Sequence, residues 1–414
     1  MIAPLTGARA MRAFLCFAAA YFLSYALRSI NAVIAPALMR EIGLSNADLG
    51  LLSSAYFVGF AALQLPLGIW LDKYGPRRTE TALLLCAAVG AAVFAASTSL
   101  LGLWIGRALI GAGVSACLMA AFKAYRQWFA IERQSQLASS MLVAGTAGAL
   151  AATIPVTAAL PLIGWRGIFW TLCALLTLAA GAIFLLLRDI EQRVVSGAAA
   201  KGAQHTDEGG YRRIFSSPYF HRMGLIGLVN QGIFIALQTL WAGPWMSTVL
   251  GRSAQQTGQI LFVFNFSLML SYLGLAWWSP RLIACAGGSL HRVIGIGLGG
   301  TLAAQVAILL IDASWAWVLW LPLALFVTVT TLVQTHVALT FPAALAGRAN
   351  AAYNLMLFIG AFGAQWGIGV LIDGFKMHGA SASGALRAAF AICLALQALA
   401  LARFLLHRAQ PEHS

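Results

Sequence analysis

The sequence predicts an all-α integral membrane protein, with twelve transmembrane helices in two six-helix bundles. Three observations predict it. Of 414 residues, 61% are hydrophobic and 9% charged, a composition outside that of globular domains. The apolar residues gather into runs of about 20, the length that crosses the hydrocarbon core. One polar stretch, 188–217, divides those runs six and six. A soluble enzyme is excluded. The formal charge of +14 does not imply a nucleic-acid partner, because membrane proteins collect Lys and Arg in cytoplasmic loops.

Span 1 (12–38) is too long, with flanks too polar, for a cleaved signal peptide. Its Tyr21, Ser24, Tyr25, Arg28 and Asn31 recur at helical spacing and make a polar stripe of about 120° that a lipid-facing helix would not keep. Span 2 (47–70) runs into a short basic loop, and span 3 (79–97) follows. Span 4 (101–122) carries Arg107, and spans 5 (137–160) and 6 (167–187) complete the first bundle, residues 1–187. The stretch 188–217 has Gly, Ala, Gln and mixed charges without apolar periodicity, so it reads as a flexible cytoplasmic linker. Span 7 (219–245) offers Asn230, Gln231, Phe234, Gln238, Trp241 and Trp245 within an arc of about 100°. Spans 8 to 12 (255–279, 291–311, 315–337, 350–372 and 384–407) complete the second bundle, residues 218–414. A weak internal echo supports duplication, with Pro36 and Pro244 208 positions apart and Gly68 and Gly274 206 apart. Such an echo suits two related bundles with a substrate site between them near mid-membrane.

With the N-terminus inside, nineteen basic residues fall on inner loops and tails and five on the outer side, which predicts cytoplasmic termini and an inner-membrane location. The other two, Arg28 and Arg107, are intramembrane. The six cysteines show no CxxC spacing, so neither disulfides nor a zinc site is indicated. The methionines form no paired metal motif, and no phosphate-binding loop is present. Neither cofactor nor metal is expected.

The loop after span 2 reads Gly68-Ile69-Trp70-Leu71-Asp72-Lys73-Tyr74-Gly75-Pro76-Arg77-Arg78. It resembles the G-x-x-x-D-[KR]-x-G-x-[KR]-[KR] loop between helices 2 and 3 of the major facilitator superfamily. An ordinary basic loop would explain Lys73, Arg77 and Arg78 but not the Asp and glycine spacing. Physically, Gly75 permits a tight turn, Gly68 a close helix approach, and Asp72 can accept hydrogen bonds from a neighbouring helix N-terminus or an Arg. Arg107 to Gly113 resembles the superfamily's R-x-x-x-G-x-G signature in helix 4. The Tyr125 to Arg133 and Phe341 to Asn350 connections resemble its inner loops. The resemblance implies the major facilitator fold, gating by Gly68, Asp72, Gly75, Arg77, Arg78 and Arg126, and a cavity lined by helices 1, 4, 7 and 10. Two departures stand out. The equivalent loop after span 8, Gly274 to Arg281, lacks the Asp, and span 5 has Gly145-Thr146-Ala147-Gly148 in place of the Gly-Pro signature of proton-driven drug antiporters. The Arg in span 1 and the Gln64-Leu65-Pro66-Leu67-Gly68 end of span 2 are most like the anion-handling branches, anion:cation symporters and nitrate/nitrite-type porters. The glycine-rich signature helices of true nitrate porters are missing.

Arg28 lies about 12 Å inside the Pro36 end of span 1, and Arg107 about 9 Å inside the outer end of span 4, at 1.5 Å per residue. An isolated Arg in hydrocarbon costs about 2.5 kcal/mol or more, so each must face protein, water or an anion. All twelve acidic residues, Glu80 included, read as loop, tail or span-end positions. A cavity with fixed positive charge and no fixed negative charge prefers an anion, and guanidinium holds carboxylate or phosphate by two parallel bonds. The expected substrate contacts are Arg28, Arg107, Tyr21, Tyr25, Asn31, Asn230, Gln231, Gln238 and Trp241. The alternatives stay open that Arg107 ties span 4 to carbonyls of span 1 and that the span 7 amides bond helix to helix. His336, near the cytoplasmic end of span 10, could shuttle a proton or be a solvated structural histidine.

The sequence thus reads as a secondary transporter for a small organic or inorganic anion, working by alternating access as a monomer in the lipid bilayer, with room for a co-transported ion. A carrier of neutral or amphipathic solutes and a transporter-like membrane sensor are the competing readings.

Overall fold

The computed structural model describes residues 5–130, 133–191, 209–287, 289–342 and 345–406. No strand occurs among the described residues, and ten helices are long and apolar enough to cross a membrane. Spans 2 and 5 are each interrupted by a helix stop. Helix α3 (Asn46–Ala62) stops before α4 (Gln64–Ala96), and α7 (Gln134–Ala151) stops before α8 (Ile154–Leu186). Each stop lies four residues before a proline, Pro66 and Pro155. Proline has no N–H to donate to the carbonyl four residues back, and its ring crowds that carbonyl, so the helices break there. Span 1 likewise divides into α1 (Gly7–Ser29) and α2 (Asn31–Ile42).

The described residues form two compact units, Met1–Ile30 with Ala55–Thr206, and Asn31–Ser54 with Asp207–Ser414. The first contains α1, the end of α3, α4, α5 (Leu100–Gly113), α6 (Cys117–Trp128), α7 and α8. Its helices meet backbone to backbone at glycines. A Cβ on Gly111 would fall 1.9 Å from the Tyr56 carbonyl oxygen, so α3 could not approach α5 if any other residue stood there. The polar stretch is more ordered at its start than its composition predicts. Helical structure continues from α8 to Glu191 because Arg12 pairs with Asp189 at 2.6 Å and Arg77 with Glu191 at 2.5 Å. The linker expected over 192–208 lies outside the described residues.

The second unit contains α2, the start of α3, α9 (Gly209–Ser216), α10 (Pro218–Val249), α11 (Ala254–Cys285) and α12 (Leu290–Leu310). These are followed by α13 (Trp320–Thr330), α14 (Leu332–Thr340), α15 (Ala346–Met377) and α16 (Ala382–Leu406). The second end of the polar stretch is therefore helical as well. Trp241, Trp245, Trp320 and Phe264 centre its core. Pro36 leaves the Ala32 carbonyl without its helical donor, and Gly243 packs so closely there that a Cβ would fall 2.1 Å from that oxygen. Asp373 of α15 caps the start of α3, accepting from the Ala47 N–H at 2.7 Å and the Asn46 side chain at 2.7 Å, a carboxylate at the positive end of a helix.

Candidate functional site

Helical spacing puts Tyr21, Ser24, Tyr25 and Arg28 on one face of α1. Gly145 of α7 leaves room for the Tyr21 ring, which would lie 2.6 Å from any Cβ there. The Tyr21 hydroxyl donates to Tyr25 at 3.3 Å, and the two rings meet edge to face at 4.9 Å. The Arg28 guanidinium lies 4.8 Å from the Tyr25 ring, 5.7 Å from Tyr56 and 5.6 Å from Phe60. Arg107 lies 5.4 Å from the same Tyr56 ring and is 1% exposed. The R-x-x-x-G part of the signature acquires a reason here. Arg107 and Gly111, four apart, share a face of α5, and the missing side chain of Gly111 brings Tyr56 onto Arg107.

One tyrosine ring therefore serves two guanidinium groups, that of half-buried Arg28 and that of buried Arg107. The Nε and Nη1 of Arg107 are buried without hydrogen-bond partners, and no carboxylate pairs with it among the described residues. Nor does it donate to the backbone of α1 among those residues, so the helix-tying alternative has no bond to rest on. Burying a charge costs several kcal/mol even after relaxation, whereas a desolvated cation–π contact returns about 2 kcal/mol. Arg28 has three such rings and Arg107 one. The deficit falls on Arg107, and a carboxylate, sulfonate or phosphate accepting from its free N–H groups would relieve it.

The other expected contacts belong to the second unit. Asn31 donates to Ser53 at 2.7 Å. Asn230 is 2% exposed with both amide atoms unpartnered among the described residues, so its donor and acceptor are available to a guest. Gln231 is committed, donating to the Thr330 carbonyl at 2.9 Å and accepting from Tyr353 at 3.2 Å. Gln238 donates to Asn265 of α11 at 3.0 Å, and Trp241 donates to the Gln365 carbonyl of α15 at 3.1 Å. The single arc expected of span 7 breaks up because α10 widens into π turns at Gly227–Gln231, Leu237–Trp241 and Trp245–Val249. Each wide turn shifts the phase of the residues after it.

Among the gating candidates, Gly75 makes the sharp turn with φ of 79°. Arg77 fastens that turn to α8 through Glu191 and the Phe184 carbonyl at 2.8 Å. Asp72 pairs with Lys123 of α6. Lys123 lies one turn before Arg126, and Arg126 and Arg78 are exposed. A Cβ on Gly68 would meet open space, so the close approach expected there is absent among the described residues. The side chain of His336 is half-buried, 2.9 Å from the Tyr219 hydroxyl and 3.0 Å from Thr340.

Sequence reasoning missed Tyr56, Phe60 and Lys123. A tyrosine within an apolar span was the available signal, since a buried phenol needs a polar partner. It also misplaced Glu80, which is 0% exposed inside α4; the reading that every acid sits in a loop, tail or span end fails at this residue. Glu132, Asp207, Glu208 and Glu412 lie outside the described residues.

The sequence profile described as Major Facilitator Superfamily matches residues 17–365. A probable sulfoacetate transporter of Cupriavidus necator is 28% identical over 57% of this chain and 57% of its own length. A probable L-galactonate transporter of Escherichia coli is 29% identical over 60% of this chain and 57% of its own. The chain thus spans little more than half the length of these curated relatives. Among solved structures, a bacterial homolog of the human lysosomal transporter Spinster, inward-facing and unoccupied, superposes with a TM-score of 0.79 at 16% identity over 97% of both chains.

Proposed function

The chain belongs to the Major Facilitator Superfamily, and on that premise we propose that it is a secondary transporter of small organic or inorganic anions working by alternating access. In this reading it lies in the inner membrane with both termini cytoplasmic, and Arg28 and Arg107 hold the anion. Tyr21, Tyr25, Asn31 and Asn230 are further contacts, whereas Gln231, Gln238 and Trp241 contribute by fixing the helices around it. Asp72, Gly75, Arg77, Arg78 and Arg126, with Gly68, belong to the moving cytoplasmic loop. The observation that carries the reading is the Arg107 side chain, buried with two nitrogens unpartnered among the described residues, beside a tyrosine it shares with Arg28. The organic acids named for the two curated relatives support the substrate class.

A thermal-shift screen of the purified protein against carboxylates, sulfonates, phosphates, inorganic anions and matched neutral solutes tests it. A ligand at a hundredfold excess over its dissociation constant adds about 2.7 kcal/mol to apparent stability. Stabilisation by one or more anions and by none of their neutral analogues is expected. Stabilisation confined to neutral solutes would transfer the protein to the competing substrate class.

A further inference from the structure

Tyr25 and Arg28 of α1 and Phe60 of α3 form a half-buried group in the first unit, with the buried rings of Tyr21 and Tyr56 adjoining it. The carbon at the centre of the Arg28 guanidinium stands over the Tyr25 ring at 4.8 Å, with Phe60 at 5.6 Å and Tyr56 at 5.7 Å. Tyr21 orients the nearest of these rings, meeting Tyr25 edge to face at 4.9 Å. Tyr56 and Phe60, one turn apart on α3, stack on each other at 6.0 Å with 25° between their planes. Three rings therefore line one guanidinium, and a fourth holds the closest of them in place.

That arrangement dictates how a guest meets the arginine. A ring over a guanidinium occupies its face, where cation–π attraction acts, and leaves the N–H groups, which point outward in the plane, for hydrogen bonds. An acid group bonded to that edge brings the atoms that follow it alongside Tyr25 and Phe60, the two rings of the group that are not buried. The α1 stripe offers little to a body covered in hydroxyls. Ser24 is its one aliphatic hydroxyl and is 1% exposed, and a hydroxyl stripped of water without a partner is penalised. A flat, conjugated body instead gains ring-to-ring contact beyond the area it buries.

We propose that this aromatic group selects the substrate, and that the preferred anion is an aromatic carboxylate whose acid group bonds to the arginines and whose ring stacks against Tyr25 and Phe60. The proposal rests on the anion-transport reading, because the arginines are those assigned there to the substrate, and it narrows the small anions to planar, conjugated ones. Phe60 is then a specificity-determining residue. Its side chain has no polar atom and contributes the face of its ring, so it distinguishes a flat guest from a puckered one of equal charge.

Benzoate and cyclohexanecarboxylate test this, because they share the carboxylate, the carbon count and the ring size and differ in flatness; gluconate supplies the hydroxylated contrast. Dissociation constants for the three are read from ligand-dependent thermal unfolding of the purified protein in detergent. Wild type is expected to bind benzoate roughly 2- to 12-fold more tightly than cyclohexanecarboxylate, the ratio equivalent to one aromatic pair. Phe60→Leu keeps apolar bulk and removes the ring, so the ratio should fall toward one, and Phe60→Tyr, which returns a ring, should recover it. Equal or tighter binding of cyclohexanecarboxylate by wild type, tightest binding of gluconate, or an unchanged ratio in folded Phe60→Leu overturns the aromatic selection. Stabilisation by aliphatic or inorganic anions alone also overturns it and leaves the anion-transport reading standing, whereas stabilisation by no anion removes both.

Discussion

Replacing Arg107 with methionine keeps an unbranched apolar stem, shorter than that of arginine, and removes the charge. In the ligand-free protein the change removes one cation–π contact with Tyr56, worth about 2 kcal/mol at most. It also removes a guanidinium whose Nε and Nη1 are buried and unpartnered, at a burial cost of several kcal/mol. The Arg107→Met variant should therefore be as stable as wild type or more stable. Anion binding should suffer in the opposite sense, because a hydrogen bond to a charged group contributes about 1.5–3 kcal/mol, equivalent to roughly 10- to 150-fold in dissociation constant. At a ligand concentration giving wild type about 2.7 kcal/mol of stabilisation, a variant about 30-fold weaker retains about 0.9 kcal/mol. Thermal unfolding in detergent, with and without the anion, reads both quantities. A variant that is strongly destabilised without ligand yet keeps the full ligand shift would make Arg107 a structural strut and refute the reasoning.

Arg28→Lys keeps the charge but loses the planar fork and its stacking on Tyr25 and Phe60, so binding in the same assay should recover little beyond Arg28→Ala; wild-type affinity would remove Arg28 from the site. Asp72→Asn should leave stability nearly unchanged, since the Asp72 side chain is 73% exposed and exposed pairs contribute about 0–1 kcal/mol. It should slow transport more than it weakens binding, and Lys123→Gln should reproduce that effect. Lost binding with unaltered accessibility labelling of the two states would contradict a gating role. His336→Gln breaks contacts to Tyr219 and Thr340 but should leave counterflow at equal pH intact; its specific loss in a folded variant would make the histidine part of the cycle.

The helices were legible because apolar run length is a property of local sequence. The helix ends at Ala62 and Ala151 were equally local, each four residues ahead of a proline, but an apolar-run count ignores them. The polar stripe of α1 was legible from spacing alone, and so was Arg107 as an intramembrane charge. Tyr56 was not, because its role depends on Gly111 of another helix clearing space for it. Glu80 was hidden for a related reason: beside Arg77 and Arg78 it looked like a residue next to a loop, and only its burial in the folded unit removes it from water. The amides of span 7 failed differently. The π turns of α10 changed the helical phase on which their common face was predicted, and Asn230 alone of the three kept its amide unpaired among the described residues.

Counterflow in proteoliposomes tests the central claim most directly. Vesicles are loaded with unlabelled anion or with its uncharged amide or ester analogue, and entry of the labelled anion is followed at equal pH with a protonophore present. Labelled entry that requires internal anion, is not driven by the neutral analogue, and collapses in Arg107→Met is the predicted result. Exchange driven equally by the neutral analogue, or at the wild-type rate in well-folded Arg107→Met, would contradict an arginine-held anion as the transported species.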